Sequence, residues 1–289
     1  MNNIYKDISS KIDSSLVGMF VDLKRLISKP DIPSVLVGAG ARDIFFGLIF
    51  GIKSPTATLD ADVAIRVPSW DAFRELADKM ENSGLLKRDK KYHYRFKHMD
   101  GQSLDLLPFG QIERPKGNIR WPSDQNDMST VGFEEAQQNS IIVRICRDCE
   151  INVATPPALM ITKIIAWDGG FPTRPKDAKD IDFMLREYSK AGNEQRIYNE
   201  DRDISQLPDF DFSRVSPRLL GRDIAKIASD ETIAEILKIL RKETDQDAHY
   251  SLIRDMMKRD RDFDEEFAEK LMLLNQLKLG IEDGKHRST

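Results

Sequence analysis

The chain contains little cysteine and little histidine. Its only cysteines, Cys146 and Cys149, form a single C-x-x-C among 289 residues. A structural zinc site needs four ligands, and neither a second C-x-x-C nor a pair of nearby histidines supplies the missing ones. A thioredoxin-like redox pair would lie between a strand and a helix, whereas this segment is predicted to be the turn of a hairpin. The sequence therefore favours a structural role for both cysteines.

Long apolar runs are also missing. A membrane-spanning helix needs about 18 or more consecutive apolar residues, and the sequence has no such run. The first residues, MNNIYKDISSKIDSS, contain neither an apolar segment nor a cleavage site of small residues, as an export signal would. We expect a soluble, cytoplasmic protein without a membrane partner.

Positive charge is not in excess, because the formal net charge is −4. This balance argues against a broadly basic protein that coats nucleic acid, but it allows a local basic surface. One stretch, LLKRDKKYHYRFKHMDG at 85–101, places basic residues around Tyr92 and Tyr94. It is either a solvated loop before an edge strand or a surface that contacts the phosphates of a nucleic acid. The residues assigned to nucleic-acid contact in the second interpretation are Lys87, Arg88, Lys90, Lys91 and Arg95.

The order of apolar patterns predicts an α+β fold, with a mixed sheet flanked by helices and followed by a C-terminal helical bundle. Residues 3–29 have helical periodicity, and Asp100-Gly101 separates two strand-like runs as in a hairpin. The turn-rich stretch 114–129 is predicted to be a loop. We predict an α/β domain with its closing helices at 1–192, a linker at 193–215 and a helical bundle at 216–289.

The stretch TATLDADVAI at 56–65 carries two acids in a predicted strand. Alternation places Asp60 and Asp62 on one face, where like charges are costly unless a cation lies between them. Further along the chain, SLDLLPF holds the single acid Asp105 among apolar strand residues. Three carboxylates on adjacent strands form an oxygen-only ligand set that suits Mg²⁺ or Mn²⁺. The alternative is that these acids face water at the edge of a sheet.

A glycine-bearing turn, VGAGARD, follows the first buried strand, SVLVG. Gly38 and Gly40 can expose backbone N–H groups to an anion such as phosphate at the start of the next helix, and glycine also permits a tight turn. Arg42 either reaches a phosphate or pairs with Asp43 or with a carboxylate of the sheet. Whether the glycines bind an anion or only permit a tight turn, the turn lies at the end of a strand.

Four motifs occur in order between residues 35 and 188: VGAGARD, TATLDADVAI, SLDLLPFG, and ALMITKIIAW followed by KDAKDIDFML. In this order they resemble the DNA polymerase β-like nucleotidyltransferases, and among these the AbiEii/AbiGii toxin nucleotidyltransferases. The resemblance implies an enzyme that moves NMP from an NTP to an acceptor and releases pyrophosphate. It implies Mg²⁺ or Mn²⁺ at Asp60, Asp62 and Asp105, and nucleotide binding at Gly38, Ala39, Gly40, Arg42 and Asp177. The family pattern usually has Gly or Ser where this chain has Ala39, so a hydroxyl contact to phosphate is lost.

Lys163 is the only charge inside the apolar segment ALMITKIIAW. Its ammonium group either extends to water along the helix surface or, as the resemblance implies, neutralises a nucleotide phosphate. Asp177 and Asp180 lie one helical turn apart in KDAKDIDFML. The resemblance gives this K-D-x-x-D pattern an active-site role, in which the acids orient Lys163 or activate the acceptor hydroxyl. A solvated helix face is the alternative, above all for Asp177.

The resemblance also implies a biological setting. Some members of this family are toxins of bacterial toxin–antitoxin pairs and modify the 3′ acceptor end of tRNA, so an RNA acceptor and a cognate antitoxin are expected partners. Two other functions stay open at this stage: nucleotidyl transfer to a small molecule or protein, and nucleotide or RNA binding without catalysis. The sequence identifies neither the base of the NTP nor the acceptor.

Overall fold

The structure is a computed structural model that describes residues 5–28, 31–55, 58–170, 172–206, 211–245, 248–258 and 262–287. Contacts among these residues divide the chain into two units, Met1–Thr155 and Pro156–Thr289. The domain boundaries at residues 192 and 215 that the sequence suggests stay a prediction.

The first unit is built on a mixed β-sheet. Its strands are β1 (Tyr5–Asp7), β2 (Ser34–Val37), β3 (Ala61–Val67), β4 (Leu86–Arg88), β5 (Arg95–His98), β6 (Ser103–Gly110), β7 (Asn118–Arg120), β8 (Asp127–Ser129), β9 (Ile141–Cys146) and β10 (Cys149–Val153). The main sheet has the order β1-β9-β10-β2-β3-β6-β5-β4, while β7 and β8 form a separate two-stranded ribbon. In the main sheet β3 runs antiparallel to β2 and parallel to β6. The largely apolar composition of β3 reflects the burial of most of its side chains, since only Arg66 is exposed along this strand.

Helices connect these strands. They are α1 (Ser14–Ile27), α2 (Gly38–Arg42), which continues as a π-helical stretch over Asp43–Ile49, α3 (Trp70–Asn82) and α4 (Phe133–Gln138). Side-chain caps fix where α1 and α3 begin, since Asp13 accepts a hydrogen bond from the Ser15 N–H and Ser69 accepts one from the Ala72 N–H.

The described residues of the second unit are organised as helices. These are α5 (Pro156–Gly170), α6 (Pro175–Glu187), a 3₁₀ turn at Glu194–Tyr198, α7 (Arg202–Ser205), α8 (Phe212–Ile227), α9 (Asp230–Thr244), α10 (Ser251–Met256) and α11 (Phe263–Arg287). Helices α8 and α11 approach closely at two glycines. A Cβ on Gly221 would lie 2.3 Å from the Leu277 carbonyl oxygen, and one on Gly280 would lie 2.2 Å from that of Arg218. Glycine at both positions therefore sets the distance between these helices.

The predicted α+β class is confirmed, since a mixed sheet flanked by helices is followed by a helical region. The hairpin at Asp100-Gly101 is also confirmed, as it joins the antiparallel strands β5 and β6. The prediction of one helix over residues 3–29 is wrong, because residues 5–7 pair with β9 and the helix begins at Ser14. The prediction of a loop over 114–129 missed the ribbon of β7 and β8. In both cases the strand is defined by a partner that local periodicity does not show.

Residues 194–205, within the stretch predicted to be a linker, belong to an ion-pair network of the second unit. Asp201 is buried and bonds to Arg196 and Arg222. Arg196 also donates from Nη2 to Asp223 Oδ1 at 2.9 Å, and the Tyr188 hydroxyl donates to Asp223 Oδ2 at 2.6 Å. Burial raises the pKa of Asp223, but the bonds from Arg196, Lys226 and Tyr188 outweigh it and hold that pKa below its ordinary value.

Among the helices of the described residues, none is both long enough and apolar enough to cross a membrane.

The network predicts an acid-sensitive second unit. Asp223→Asn leaves Arg196 with one buried carboxylate fewer, so the free energy of unfolding should fall by about 3 kcal/mol at neutral pH. Because the folded pKa of Asp223 is lowered, its contribution is present above the ordinary Asp pKa and is lost as the pH falls through the lowered value. Urea unfolding followed by circular dichroism tests this, with Glu235→Gln as a control, because among the described residues the half-buried Glu235 pairs its carboxylate only with the exposed Lys238. Equal losses in both variants would contradict the role of the network.

Candidate active site

The parallel pairing of β3 and β6 brings two of the predicted acids side by side. Asp62 and Asp105 are direct partners in the register of these strands, so their side chains leave the sheet on the same face. Asp62 is half-buried and Asp105 is buried. Asp60 is exposed and lies one residue before β3 begins. The three acids thus gather around one end of this strand pair.

The glycine turn lies against the same end of β3. Val37, the last residue of β2, pairs with Asp62, and Gly38 follows with φ +66°. A Cβ on Gly38 would lie 2.1 Å from Asp62 Oδ2, and one on Gly40 would lie 3.3 Å from the Asp60 carbonyl oxygen. The turn at 38–40 therefore touches the Asp60–Asp62 segment directly. Its first position requires glycine both for its conformation and for space.

Arg95 supplies the positive charge next to these acids. It lies on β5 opposite Asp105 and forms a bidentate pair with it, with Nε–Oδ1 and Nη2–Oδ2 distances of 2.7 Å each. The pKa of Arg95 is raised, first by the hydrogen bonds to Asp105, although burial opposes this, and further by the charges of Asp105, Tyr94 and Asp60. A guanidinium therefore occupies both oxygens of Asp105 and also lies within the field of Asp60.

Arg42 bonds to Asp43, which is one of the roles that the sequence left open. Its guanidinium is 1% exposed and donates from Nε and Nη2 to Asp43 Oδ1 at 2.9 and 2.7 Å. Asp43 Oδ1 also accepts from the Ser54 hydroxyl at 2.8 Å. The contact of Arg42 with a nucleotide phosphate stays a prediction.

The basic segment at 85–101 forms the edge of the sheet at β4 and continues into β5. Lys87, Lys90 and Lys91 are exposed, whereas Arg88 bonds to Asp78 at 2.7 Å. The Nζ atom of Lys91 lies 4.9 Å from the ring centre of Tyr92, and the Arg95 guanidinium carbon lies 5.5 Å from the same centre. Lysines on an edge strand fit a protective role as well as a phosphate-binding one, so RNA contact stays a prediction.

In the second unit, Lys163 is bound by the two acids of the K-D-x-x-D pattern. Its Nζ lies 2.7 Å from Asp177 Oδ1 and 2.7 Å from Asp180 Oδ2. Burial lowers the pKa of Lys163, but the charges of Asp177 and Asp180 outweigh it, so the pKa is raised. Asp177 and Asp180 are buried, so they do not lie on a solvated helix face, and the Lys163 side chain is only 12% exposed. The nucleotide-phosphate role of Lys163 stays a prediction.

The donor chemistry near β3 fits a divalent cation under one condition. Asp60 and Asp62 offer carboxylate oxygens, the ligands that Mg²⁺ and Mn²⁺ prefer. Asp105 completes the set only when Arg95 releases it. In the described part of the chain, no group of three or more His, Cys, Asp or Glu residues is arranged to hold a metal ion. The three-carboxylate metal site stays a prediction, and the Arg95–Asp105 pair is the physical obstacle to it.

Sequence reasoning named Asp43 only as a possible partner of Arg42 and missed its bonds to Ser54 and Thr58. It also missed the bond between Arg95 and Asp105. Asp43 follows Arg42 directly, but a neighbouring pair of opposite charges is common on surfaces and gave no signal of burial. Arg95 stands among other basic residues, and only the register of β5 against β6 identifies it as the partner of Asp105.

No protein-family model and no curated protein matches the chain. Among solved structures, the antibiotic-resistance factor ANT(2'')-Ia in solution is similar at a TM-score of 0.34 and 14% identity, over 68% of this chain and 97% of its own. JHP933 from Helicobacter pylori is similar at a TM-score of 0.34 and 14% identity, over 96% and 98%. A protein from H. pylori named as a nucleotidyltransferase gives 0.35 and 13%, over 96% and 99%. Similarities of this size do not by themselves assign an activity to this chain.

The contact between Gly38 and Asp62 predicts that Gly38→Ala is costly. Gly84→Ala is the matched control, because Gly84 has φ +75° but nothing within 4 Å of its added Cβ. The control should carry only the backbone strain, about 1–2 kcal/mol. Gly38→Ala should lower the free energy of unfolding by about 1–3 kcal/mol more, because its Cβ overlaps a carboxylate. Denaturant unfolding measures both. Equal losses would show that the turn does not press on Asp62.

Proposed function

We propose that this chain is a nucleotidyltransferase that moves NMP from an NTP to an acceptor with the help of Mg²⁺ or Mn²⁺. One observation carries the proposal: the glycine turn after β2 touches the Asp60–Asp62 segment, and Asp105 lies beside Asp62 on the next strand. A phosphate-binding turn and a set of carboxylates in contact are the two parts that phosphoryl transfer requires.

Each part has a chemical task. The backbone N–H groups at 38–40 start α2 and favour an anionic triphosphate, while Ala39 contributes no hydroxyl. Asp60, Asp62 and Asp105 would hold the cations. When bound, a divalent cation neutralises charge on the phosphoryl group and on the leaving pyrophosphate. The acceptor oxygen forms a bond to the α-phosphorus as the bond to pyrophosphate breaks, and the acceptor hydroxyl releases its proton.

The proposed acceptor is RNA, with the 3′ end of tRNA as the first candidate and the chain as the toxin of a bacterial toxin–antitoxin pair of the AbiEii kind. The motif order supports this class, and the exposed lysines beside Tyr92 offer a surface for phosphates. A cognate antitoxin and a cytoplasmic location belong to the same proposal. Small molecules or proteins are the alternative acceptors.

A non-catalytic nucleotide- or RNA-binding protein is the second candidate function. It is favoured by the bidentate bond between Arg95 and Asp105, because a guanidinium that stays there permanently would take the place of a metal ion. The two candidates differ in whether Arg95 gives way to a metal ion.

The decisive experiment incubates the protein with total tRNA and each of the four labelled NTPs in Mg²⁺, and separates the products on a gel. We expect label in tRNA, and its loss in EDTA. Label in a small molecule or a protein would identify that molecule as the acceptor in place of RNA. If no NTP transfers label to RNA, protein or small-molecule acceptors, the result would contradict the proposed enzymatic activity and would favour the non-catalytic binding protein.

Asp60→Ala and Asp62→Ala test the carboxylates in the same assay. Each should reduce transfer by at least about 100-fold, since loss of one electrostatic group at a transition state costs about 2.7–4 kcal/mol. Asp148→Ala, in the exposed turn between β9 and β10, is the control and should transfer at the parental rate. The free energy of unfolding of Asp60→Ala should stay within about 0.5 kcal/mol of the parent, because Asp60 is exposed. Parental activity in either site variant would refute the assignment.

Arg95→Gln tests whether Arg95 occupies a cation site. The substitution leaves the buried Asp105 without its partner, so the melting temperature in EDTA should be lower than that of the parent. Adding Mg²⁺ or Mn²⁺ should then raise the melting temperature of the variant by more than it raises that of the parent. Arg120→Gln is the matched control, because Arg120 forms a bidentate pair with Asp127 on the exposed ribbon of β7 and β8. Thermal unfolding with and without metal separates the cases. A metal-induced shift of the same size in Arg95→Gln, Arg120→Gln and the parent would favour the non-catalytic candidate.

A further inference from the structure

Asp60 lies where the sheet no longer fixes the backbone. The pairing of β3 with β6 begins at Ala61, and the pairing of β3 with β2 reaches only Asp62. Asp62 is therefore held by strand hydrogen bonds, whereas Asp60 has to be placed by other contacts. A ligand at the end of a strand needs such support, because about 1 Å of misplacement in a reacting group can cost about 100-fold in rate.

A chain of hydrogen bonds leads from the buried Arg42 to Asp60. Arg42 donates from Nε and Nη2 to Asp43 Oδ1, and the Thr58 backbone N–H donates to Asp43 Oδ2 at 3.0 Å. The Thr58 hydroxyl then accepts the Asp60 N–H at 3.1 Å. Asp43 thus joins the helix that carries the glycine turn to the segment that carries the first acid.

The charge of Asp43 suits this task. Arg42 balances the carboxylate on one oxygen, which leaves the other oxygen to hold the Thr58 backbone at a fixed distance from α2. The Ser54 hydroxyl adds a bond from the preceding segment. The carbonyl oxygen of Asp60 faces the turn at Gly40, so Asp60 is confined from both sides.

We infer that Asp43 is a positioning residue that sets the place of Asp60 through Thr58. The inference rests on the proposed function, since it gives Asp60 a cation to hold. Asp43 acts through Thr58 and not by contact with the reacting groups. It determines how well a cation is held and leaves the chemical step to other residues.

Thr58 allows a test that leaves the fold intact. Thr58→Val keeps the shape of the side chain and the backbone bond to Asp43, but removes the oxygen that accepts the Asp60 N–H. Thr58→Ser keeps that oxygen. Ser83→Ala is the matched control, because the Ser83 hydroxyl oxygen accepts the N–H of Leu85, two residues later in the same unit, in the same way. Melting temperatures within a few degrees of the parent are expected for all three.

Two readouts are compared. Titration of Mn²⁺ alone, followed by electron paramagnetic resonance, gives the metal affinity without any turnover. Nucleotide transfer at increasing Mg²⁺ gives the half-saturating metal concentration and the kcat at saturation. We expect Thr58→Val to weaken Mn²⁺ binding and to raise the half-saturating Mg²⁺ by about 10-fold, the lower end for residues that support metal ligands. The kcat at saturating metal should change much less, and Thr58→Ser and Ser83→Ala should resemble the parent.

Asp43→Asn gives a second line of support. It should weaken Mn²⁺ binding as Thr58→Val does, and it should also lower the melting temperature because Arg42 loses its ion pair. Parental metal binding in Thr58→Val, beside an inactive Asp60→Ala, would overturn the positioning role and leave the proposed function intact. Failure of the parent both to bind Mn²⁺ and to transfer nucleotide would overturn both. An equal loss of metal affinity in Ser83→Ala would show a general effect on stability and would also overturn the inference.

Discussion

The hydrogen-bond register of β3 is the constraint on which the candidate site depends. Its antiparallel pairing with β2 places Val37 opposite Asp62, so the turn that follows Val37 meets the acid directly. Its parallel pairing with β6 places Asp105 beside Asp62. A shift of the β3–β6 pairing by one residue would turn Asp105 to the face of the sheet opposite Asp62. The glycine turn and the carboxylates are therefore brought together by one strand.

Three acid-bearing positions among the described residues are each accompanied by a cation from the chain itself. Arg95 neutralises Asp105, Arg42 neutralises Asp43, and Lys163 lies between Asp177 and Asp180. Burial makes such compensation necessary, since an unpaired charge away from water is costly. The pairs differ in exposure, because the Arg95 side chain is 42% exposed whereas Arg42 is almost fully buried. Solvent therefore reaches the Arg95–Asp105 pair more readily than the Arg42–Asp43 pair.

Local patterns were sufficient for the elements that depend on local chemistry. The capped helix α3, the Asp100-Gly101 hairpin and the order of turn, D-x-D and single acid all follow from short stretches. Elements that are defined by partners distant in the sequence could not be predicted from such short stretches. Residues 5–7 become a strand only because β9 lies beside them, and Arg95 is distinguished from its basic neighbours only by its place opposite Asp105. Asp43 belongs to the same class, because its bonds to Ser54 and Thr58 bridge a long connection between β2 and β3.

The central position of β3 has a consequence for how the site opens. Amide protons of a strand that is paired on both edges exchange with solvent only when a large part of the unit unfolds. Asp62 sits in such a strand, between β2 and β6, whereas Asp60 lies just outside it. The backbone around Asp62 will therefore retain its deuterium label long after the backbone around Asp60 has lost it. Although the two acids are only two residues apart, exchange at Asp62 is thus expected to require unfolding of much of the unit, whereas exchange at Asp60 requires only a local fluctuation.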